Sequence, residues 1–395
     1  MAVAHWFVSV DVKAGERVAM MMHNSPLFII TWLALLKIAV VPAFINNQIR
    51  GPVLLHSLKI ASSKLIVFDY ELAPAVHECL EEIKELGYDL YTCTPKQQVF
   101  GQLYHNLPED TRQSIEVPSF FRYMEWQHLS TEGFPKSVRK HVEMKDPVAL
   151  IYTSGTTGFP KAAIMDHGRC CLAMTTWSSL INIKPESKVY ITLPLYHSAG
   201  SIIGVGQSWS SGSTIILARK FSTSNFWKDC VAYDVTHFQY IGELCRYLLN
   251  APESPLDKKH KVGAAFGNGM RQDIWAKFQE RFNIPIIVEY YTMSEGTGAL
   301  MNIAKNKRDQ GAVGFRGPII STLMPGFRLA KVDMDTEELI RDKKTGFCIE
   351  CGPDQVGELL TLADNKTPNT RFVGYFNQPK MSQAKLVYDV FQKGD

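Results

Sequence analysis

The stretch Tyr152-Thr153-Ser154-Gly155-Thr156-Thr157-Gly158-Phe159-Pro160-Lys161 decides the reading of this chain. The apolar run Pro147-Val148-Ala149-Leu150-Ile151-Tyr152 precedes it and reads as a buried strand. Lys161 leads into a second apolar run, Ala162-Ala163-Ile164-Met165, closed by Asp166-His167-Gly168. A strand that opens into glycine and hydroxyl residues and returns through a lysine offers three kinds of phosphate ligand: backbone N–H groups freed by glycine, hydroxyls and one mobile ammonium. A P-loop has different spacing. Here the second glycine comes three residues after Gly155, and Lys161 is followed by alanine rather than serine or threonine. The glycines and hydroxyls alone would serve equally well as a surface turn. The flanking strands and the Pro-Lys ending favour the ligand loop.

Outward from the loop, the chain alternates apolar runs with helical patterns. Val18 to Met22 reads as a strand, Ser25 to about Ile38 as a helix and Val40 to Phe44 as a strand, followed by a helix from Val53 to Ala61 and a strand from Leu65 to Phe68. This βαβ rhythm predicts a parallel sheet. Pro74 to Leu86 reads as one amphipathic helix, with Val76, Cys79, Leu80 and Ile83 on one face, and Tyr88 to Tyr91 as a further strand. Residues 95 to 145 are polar and weakly patterned, a surface connector. Beyond the loop, helices are expected at Arg169 to Ile181, at Gly200 to Trp209, after a Ser222 cap, and around Ile274, Phe278 and Phe282. Strands are expected at Val189 to Leu193, Thr214 to Ala218 and Ile286 to Tyr290. From Gly311 the style changes to short strands and turns (Pro325-Gly326, Lys343-Lys344-Thr345-Gly346), a small β-rich part. The expected organisation is an α/β region over about 1–145, a second over about 146–310 and the β-rich subdomain over about 311–362.

Three further segments carry chemistry-bearing residues. Pro194-Leu195-Tyr196-His197-Ser198-Ala199-Gly200 follows a strand, where ligand crevices open in α/β sheets. A lone histidine there serves a structural role as readily as a functional one. Gly267-Asn268-Gly269 ends a strand just before a helix, where a flat ring can approach the backbone and an anion is favoured, although the tripeptide is also an ordinary turn. Tyr290-Tyr291-Thr292-Met293-Ser294-Glu295 combines a stacking face, hydroxyls and a carboxylate suited to Mg²⁺, which prefers hard oxygen ligands.

Thr153 to Lys161 resembles the signature loop of the adenylate-forming (AMP-binding) superfamily. Ile151 to His167 is similar to the version in fatty acid transport proteins, also called very-long-chain acyl-CoA synthetases. The likeness extends over roughly residues 10 to 395. It implies the large N-terminal domain of the acyl-CoA synthetase fold: doubly wound sheets with helices plus a small β-rich subdomain. It also implies a long-chain or very-long-chain fatty acid-CoA ligase that uses ATP, Mg²⁺ and CoA and is linked to fatty acid uptake. By the same resemblance Thr153, Ser154, Gly155, Thr156, Thr157, Gly158 and Lys161 close over the triphosphate, with Ser294 near the α-phosphate and Glu295 on Mg²⁺. Gly267, Asn268 and Gly269, with Tyr290 and Tyr291, border adenine. Tyr196, His197 and Gly200 border the acyl site, and Lys161, Glu295 and His197 are the catalytic candidates.

The sequence departs from the family pattern at Thr292, where glycine is usual, and at its ends. The Thr-Gly-Asp ribose motif, the hinge arginine and the C-terminal domain with its catalytic lysine find no match, so the chain resembles an adenylation domain without its C-terminal partner. Lys393-Gly394-Asp395 looks like the segment just before the ribose motif. A nucleotide- or fatty-acid-binding fragment and a ligase of another carboxylic acid therefore stand beside the first reading.

The bulk composition agrees. At 395 residues the chain is long enough for two or three domains, and 46% hydrophobic with 21% charged residues is a globular balance. A net charge of +3 without a basic block gives nucleic acid little to bind. The eight cysteines form no paired framework; Cys348 and Cys351 make a CxxC lacking the second pair a metal site would need, and reduced thiols facing the cytosol are expected. Met1 is followed by no basic stretch of the kind that opens a signal peptide. Pro26 to Ile45 carries only Lys37 as a charge, yet Lys37 and Pro42 interrupt it, and a buried helix fits better than a membrane span. The resemblance suggests association with the endoplasmic reticulum, peroxisome or plasma membrane, catalytic domain toward the cytosol, and is compatible with a homodimer.

Overall fold

Apolar runs of four to seven residues become strands because helices cover both faces of the sheet they build. The computed structural model describes residues 1–93, 121–153, 158–314, 326–368 and 370–395. Within these, β1 (Arg17–Met21), β2 (Val41–Phe44), β3 (Leu65–Phe68), β4 (Asp89–Thr92), β5 (Arg122–Tyr123), β6 (Pro147–Thr153) and β7 (Lys161–Asp166) form one sheet. Its order is β5-β4-β3-β1-β2-β6-β7, parallel except for β7, which runs antiparallel to β6. A second sheet takes β8 (Lys188–Ile191), β9 (Thr214–Leu217), β10 (His237–Ile241), β11 (Ala264–Asn268), β12 (Ile286–Tyr291) and β13 (Leu300–Ala304) in the order β13-β12-β11-β10-β8-β9, with only β13 antiparallel. β14 (Phe327–Ala330) and β15 (Glu358–Thr361) pair as an antiparallel ribbon.

Strand alternation divides the core. Val18, Met20 and Val67 point into one cluster, and Ala19, Met21, Ile66 and Phe68 into another. The first cluster also takes Val189, Ile191, Val288 and Tyr290, so it lies between the two large sheets. Helix Pro26–Lys37 fills that space. Ser25 caps it, its Oγ accepting from the Phe28 N–H at 3.1 Å, and Trp32 is fully buried against Phe44 and Trp209. Burying a side chain of this size contributes about 1.5–3 kcal/mol or more. The opposite face of the second sheet packs on helices Thr223–Ala232, Gly242–Asn250 and Gln272–Phe282 through Phe226, Leu244 and Phe278.

Asn24, buried just past β1, ties the sheets together. Its Nδ2 donates to the carbonyls of Leu193 (2.8 Å) and Ala218 (3.1 Å), which follow β8 and β9, and its Oδ1 accepts from the Leu195 N–H at 2.8 Å.

Several expectations are corrected. The single helix expected from Pro74 to Leu86 is two, Ala73–His77 and Leu80–Glu85, because Cys79 leaves helical geometry (φ −119°, ψ 24°); Val76, Cys79, Leu80 and Ile83 are nonetheless all buried. The helix expected from Gly200 begins as a π-helix, Ala199–Val205, and turns α only over Gly206–Ser211. A Cβ at Gly204 would sit 2.7 Å from the Gln239 side chain, so glycine permits the wide turn to press on β10. Ser222 stands at its helix N-terminus without capping it; its hydroxyl meets that of Ser224 at 3.2 Å. β5 lies inside the expected connector, and β10 and β13 had no expected counterpart. Of the connector, residues 94–120 lie outside the described residues, as do 154–157, 315–325 and 369. The apolar run from Pro26 gives a 12-residue helix and then β2, and among the described residues no helix is long and apolar enough to cross a membrane. All eight cysteines are free thiols.

Asn24→Ala strands the buried Leu193 carbonyl and Leu195 N–H, each worth about 1–3 kcal/mol when left unsatisfied, and the half-buried Ala218 carbonyl, which water can reach. A stability loss of about 2–4 kcal/mol is expected from urea unfolding. A loss below about 0.5 kcal/mol, the scatter of surface changes, would show that the sheets are held together by packing alone.

Candidate active site

The antiparallel pairing of β6 with β7 sets Thr153 directly opposite Lys161, so the phosphate-type loop is the connection of a hairpin at the carboxyl end of β6. Ser154, Gly155, Thr156 and Thr157 lie outside the described residues. Gly158 has φ +85°, which glycine adopts without strain. His56 steadies the returning arm, its Nε2 3.1 Å from the Pro160 carbonyl and its ring 4.7 Å from that of Phe159. Lys161 is only 7% exposed, with its Nζ 5.4 Å from the ring centroid of Tyr375, a cation–π arrangement.

The second anchor follows β12. Ser294 Oγ lies 2.9 Å from Ser198 Oγ, and Glu295 Oε1 accepts from the Tyr375 hydroxyl at 2.7 Å. Arg169, in helix His167–Leu180, donates to the Met293 carbonyl at 3.0 Å and fixes the turn from behind. Lys161, Tyr375, Glu295, Ser294 and Ser198 thus form one chain of contacts across segments far apart in sequence. Tyr375 was missed by sequence reasoning. The only local signal was Gly374-Tyr375 ahead of a Pro379 turn, and its partner Glu295 is eighty residues away. Burial and the neighbouring carboxylate raise the Tyr375 phenol, which stays protonated and donating.

β11 ends at the Gly267-Asn268-Gly269 turn, built for close approach. A side chain at Gly267 would run into the Tyr240 carbonyl oxygen, one at Gly242 into the Gly269 carbonyl oxygen, and Gly269 has φ +80°. Glu289, 1% exposed, holds the turn: one oxygen accepts from the N–H groups of Gly269 (2.5 Å) and Met270 (3.2 Å), the other from the Tyr240 hydroxyl (2.5 Å). Burial raises its carboxyl from about 4.5 to about 7, against the pull of those three donors. Period-two alternation along β12 separates the two tyrosines. Tyr290 is 2% exposed with its ring 4.5 Å from that of Trp177, whereas Tyr291 is 44% exposed. Of the pair, Tyr291 has a ring face open to a ligand.

Tyr196, His197 and Gly200 follow β8 on the same side of the sheet. His197 Nδ1 accepts from the Ala199 N–H at 3.2 Å, which leaves the neutral ring's proton on Nε2. Dense protein around the ring lowers its pKa, although the side chain still reaches solvent. Tyr196 is half-buried. Gly200 offers no lining surface: it is enclosed, and a side chain there would strike the Pro194 carbonyl oxygen.

Among the described residues no group of three or more His, Cys, Asp or Glu could hold a metal alone. Mg²⁺ nonetheless fits Glu295, because this ion commonly takes one or two carboxylates and completes its shell with substrate phosphates and water. A separate cavity of about 190 Å³, lined by Arg17, Val41, Leu150 and Phe376 among others, opens at the amino ends of β1 and β2, away from Lys161.

Lys161 on the hairpin and Glu295 on the Ser-Glu turn thus meet through Tyr375 beyond the carboxyl ends of the strands, where α/β sheets bind ligands. The model of the AMP-binding enzyme family matches residues 1–360, and the chain belongs to that family. Among its relatives, the very long-chain fatty acid transport protein of Cochliobolus heterostrophus is 34% identical over 397 residues, covering 100% of this chain and 57% of that protein. The protein of the same description from Saccharomyces cerevisiae is 35% identical, covering 98% and 55%. The chain therefore spans little more than half the length of these relatives. ATP-bound MatB from Rhodopseudomonas palustris shares the fold at a TM-score of 0.70 and 19% identity, over 98% of this chain and 67% of that one.

Glu289 makes stability depend on pH. Between about 4.5 and about 7 the unfolded chain releases the proton that the folded chain retains. Stability should therefore fall as pH rises through that window, by an amount on the order of 3 kcal/mol at about 1.4 kcal/mol per pH unit. Glu289→Gln, neutral throughout, should lose this dependence and gain on the wild type between pH 5 and pH 7.5 in urea unfolding. A wild type whose stability relative to the variant stays constant over that range would show that the buried carboxyl is already ionised.

Proposed function

We propose that the chain is the ATP-binding and acid-activating part of a long-chain or very-long-chain fatty acid-CoA ligase. The observation that carries this reading is the meeting of Lys161 and Glu295 around Tyr375 at the carboxyl ends of the strands. The fatty acid carboxylate attacks the α-phosphorus of ATP, forming acyl-adenylate and releasing pyrophosphate. The CoA thiol then attacks the acyl carbonyl, forming the thioester and releasing AMP. In the first step negative charge shifts onto the leaving pyrophosphate. Lys161, its position fixed by folding, would neutralise it together with the hydroxyls that the family resemblance assigns to the loop, and such preorganised charge is where these sites gain most of their rate. Mg²⁺, held by Glu295 and the phosphates, would supply further charge neutralisation when bound. Ser294 faces the same charge; Tyr291 stacks on adenine over Gly267, Asn268 and Gly269; Tyr196 and His197 border the carboxylate.

The acid is read from the relatives' descriptions as fatty acid transport proteins, which also support a link to fatty acid uptake; a place at a membrane with this domain on the cytosolic side belongs to the same proposal. A binding-only role predicts that the purified chain takes up ATP without turning it over. ATP–pyrophosphate exchange with Mg²⁺ and a long-chain fatty acid separates the two. Exchange is expected in the wild type, and Lys161→Ala and Glu295→Ala should each lower it by about 10²-fold or more. Wild-type-like exchange in both variants would overturn the assignment; ATP binding without exchange in the wild type would favour the binding-only role.

A further inference from the structure

We propose that Tyr375 is a positioning residue that sets the Mg²⁺-facing oxygen of Glu295 and the aim of the Lys161 ammonium together; the inference rests on the function proposed above. The segment Gly374-Tyr375-Phe376 is zipped onto β7, the strand that begins with Lys161. The Ile164 N–H donates to the Gly374 carbonyl at 3.1 Å, the Phe376 N–H donates to the Ala162 carbonyl at 2.8 Å, and Tyr375 bridges Ala163. Ser382 closes the other side, accepting from the Tyr375 N–H at 2.8 Å and donating to the Gln378 carbonyl at 3.0 Å. Gly374, with φ +80°, leaves room for that serine, since a Cβ would lie 2.5 Å from its Oγ. The tyrosine backbone is thus fixed from both sides, and its side chain is 5% exposed.

From this base the hydroxyl reaches Glu295 Oε1 at 2.7 Å and the ring covers Lys161 Nζ at 5.4 Å. A neutral phenol can only donate to a carboxylate. It occupies one oxygen of Glu295, fixes the carboxylate plane and leaves Oε2 for a hard cation. The ring face stabilises the ammonium beside it without neutralising it, as a carboxylate there would. A tyrosine that merely filled space would need no hydroxyl partner on a second, remote anchor. This one joins the strand that carries Lys161 to the turn that carries Glu295.

The test is calorimetric titration of ATP into the purified chain, with and without Mg²⁺. Tyr375→Phe removes only the hydroxyl. Losing a hydrogen bond to a charged group is expected to cut the gain in ATP affinity that Mg²⁺ confers by about tenfold. Affinity for metal-free ATP should stay within about twofold, because the ring over Lys161 remains. In a Glu295→Gln background the same change should have no further effect on Mg²⁺ dependence. Near-ultraviolet circular dichroism of Tyr375→Phe matching the wild type in its Trp signals excludes misfolding as the cause. If the variant keeps the wild-type Mg²⁺ gain, or loses affinity equally with and without Mg²⁺, the positioning role is overturned while the functional reading stands. A wild-type chain whose ATP binding ignores Mg²⁺ overturns both.

Discussion

The carboxamide of Asn24 is the joint on which the site depends. Two large sheets meet across a shared apolar core, and apolar contact alone is non-directional: it fixes neither the rotation nor the slide of one sheet against the other. Asn24 supplies direction, spending two donors and one acceptor on backbone groups beyond β8 and β9. Arg219, beyond β9, pairs with Glu71, beyond β3, and extends the same seam at the surface. The registration matters because Lys161 belongs to the first sheet and Glu295 follows the second. The bond between Tyr375 and Glu295 tolerates only a few tenths of an ångström before it weakens, so it exists only if the sheets hold one relative position.

The Gly267-Asn268-Gly269 turn is held in place for a different reason. Gly242 and Gly267 let neighbouring backbone approach closely, and the N–H groups of Gly269 and Met270 turn toward one buried carboxyl. Glu289 satisfies both of them and the Tyr240 hydroxyl besides. A buried carboxyl costs stability when ionised, and its raised pKa is the mark of that cost. In return, two N–H groups at the turn and the Tyr240 hydroxyl converge on one side chain, which fixes the turn before any ligand arrives.

Much of the scaffold was legible because the parallel strands are apolar on both faces. Leu65 to Phe68 lies where the apolar run places it, and the Ser25 cap and the helix after it follow from local sequence. β10 escaped because His237, Gln239 and Tyr240 break the apolar signal. Gln239 and Tyr240 are tolerated there because neighbours accept from their donors: the Gln239 amide donates to the Ala199 carbonyl and the Tyr240 hydroxyl to Glu289. Of the site, the loop, the Gly-Asn-Gly turn and the Ser-Glu turn were visible as motifs, since each carries its chemistry within a few adjacent residues. Tyr375, Glu289 and Arg169 were not, because each acts on a partner 20 to 124 residues away that only folding brings near. The choice between Tyr290 and Tyr291 also waited on structure. Both lie on β12, so their opposite faces follow from alternation only once the strand's extent and its buried side are known.

Helix His167–Leu180 completes the coupling between the two anchors. It starts where β7 ends, and Asp166 caps it by accepting from the Arg169 N–H at 2.7 Å. Asp166 is fully buried, and its other oxygen faces Arg371 at 3.6 Å, in the segment that leads to Tyr375. From the first turn of the helix the Arg169 side chain reaches the Met293 carbonyl, and burial lowers its pKa without discharging so strong a base. Two routes therefore join β7 to the Ser294-Glu295 turn, one through Tyr375 and one through Asp166 and Arg169. With both in place, the ammonium and the carboxylate do not move independently, and on the proposed function the charges that would meet the triphosphate are set before it arrives. That is the arrangement by which fixed dipoles and charges lower a barrier, since their ordering is accomplished during folding rather than at the moment of reaction.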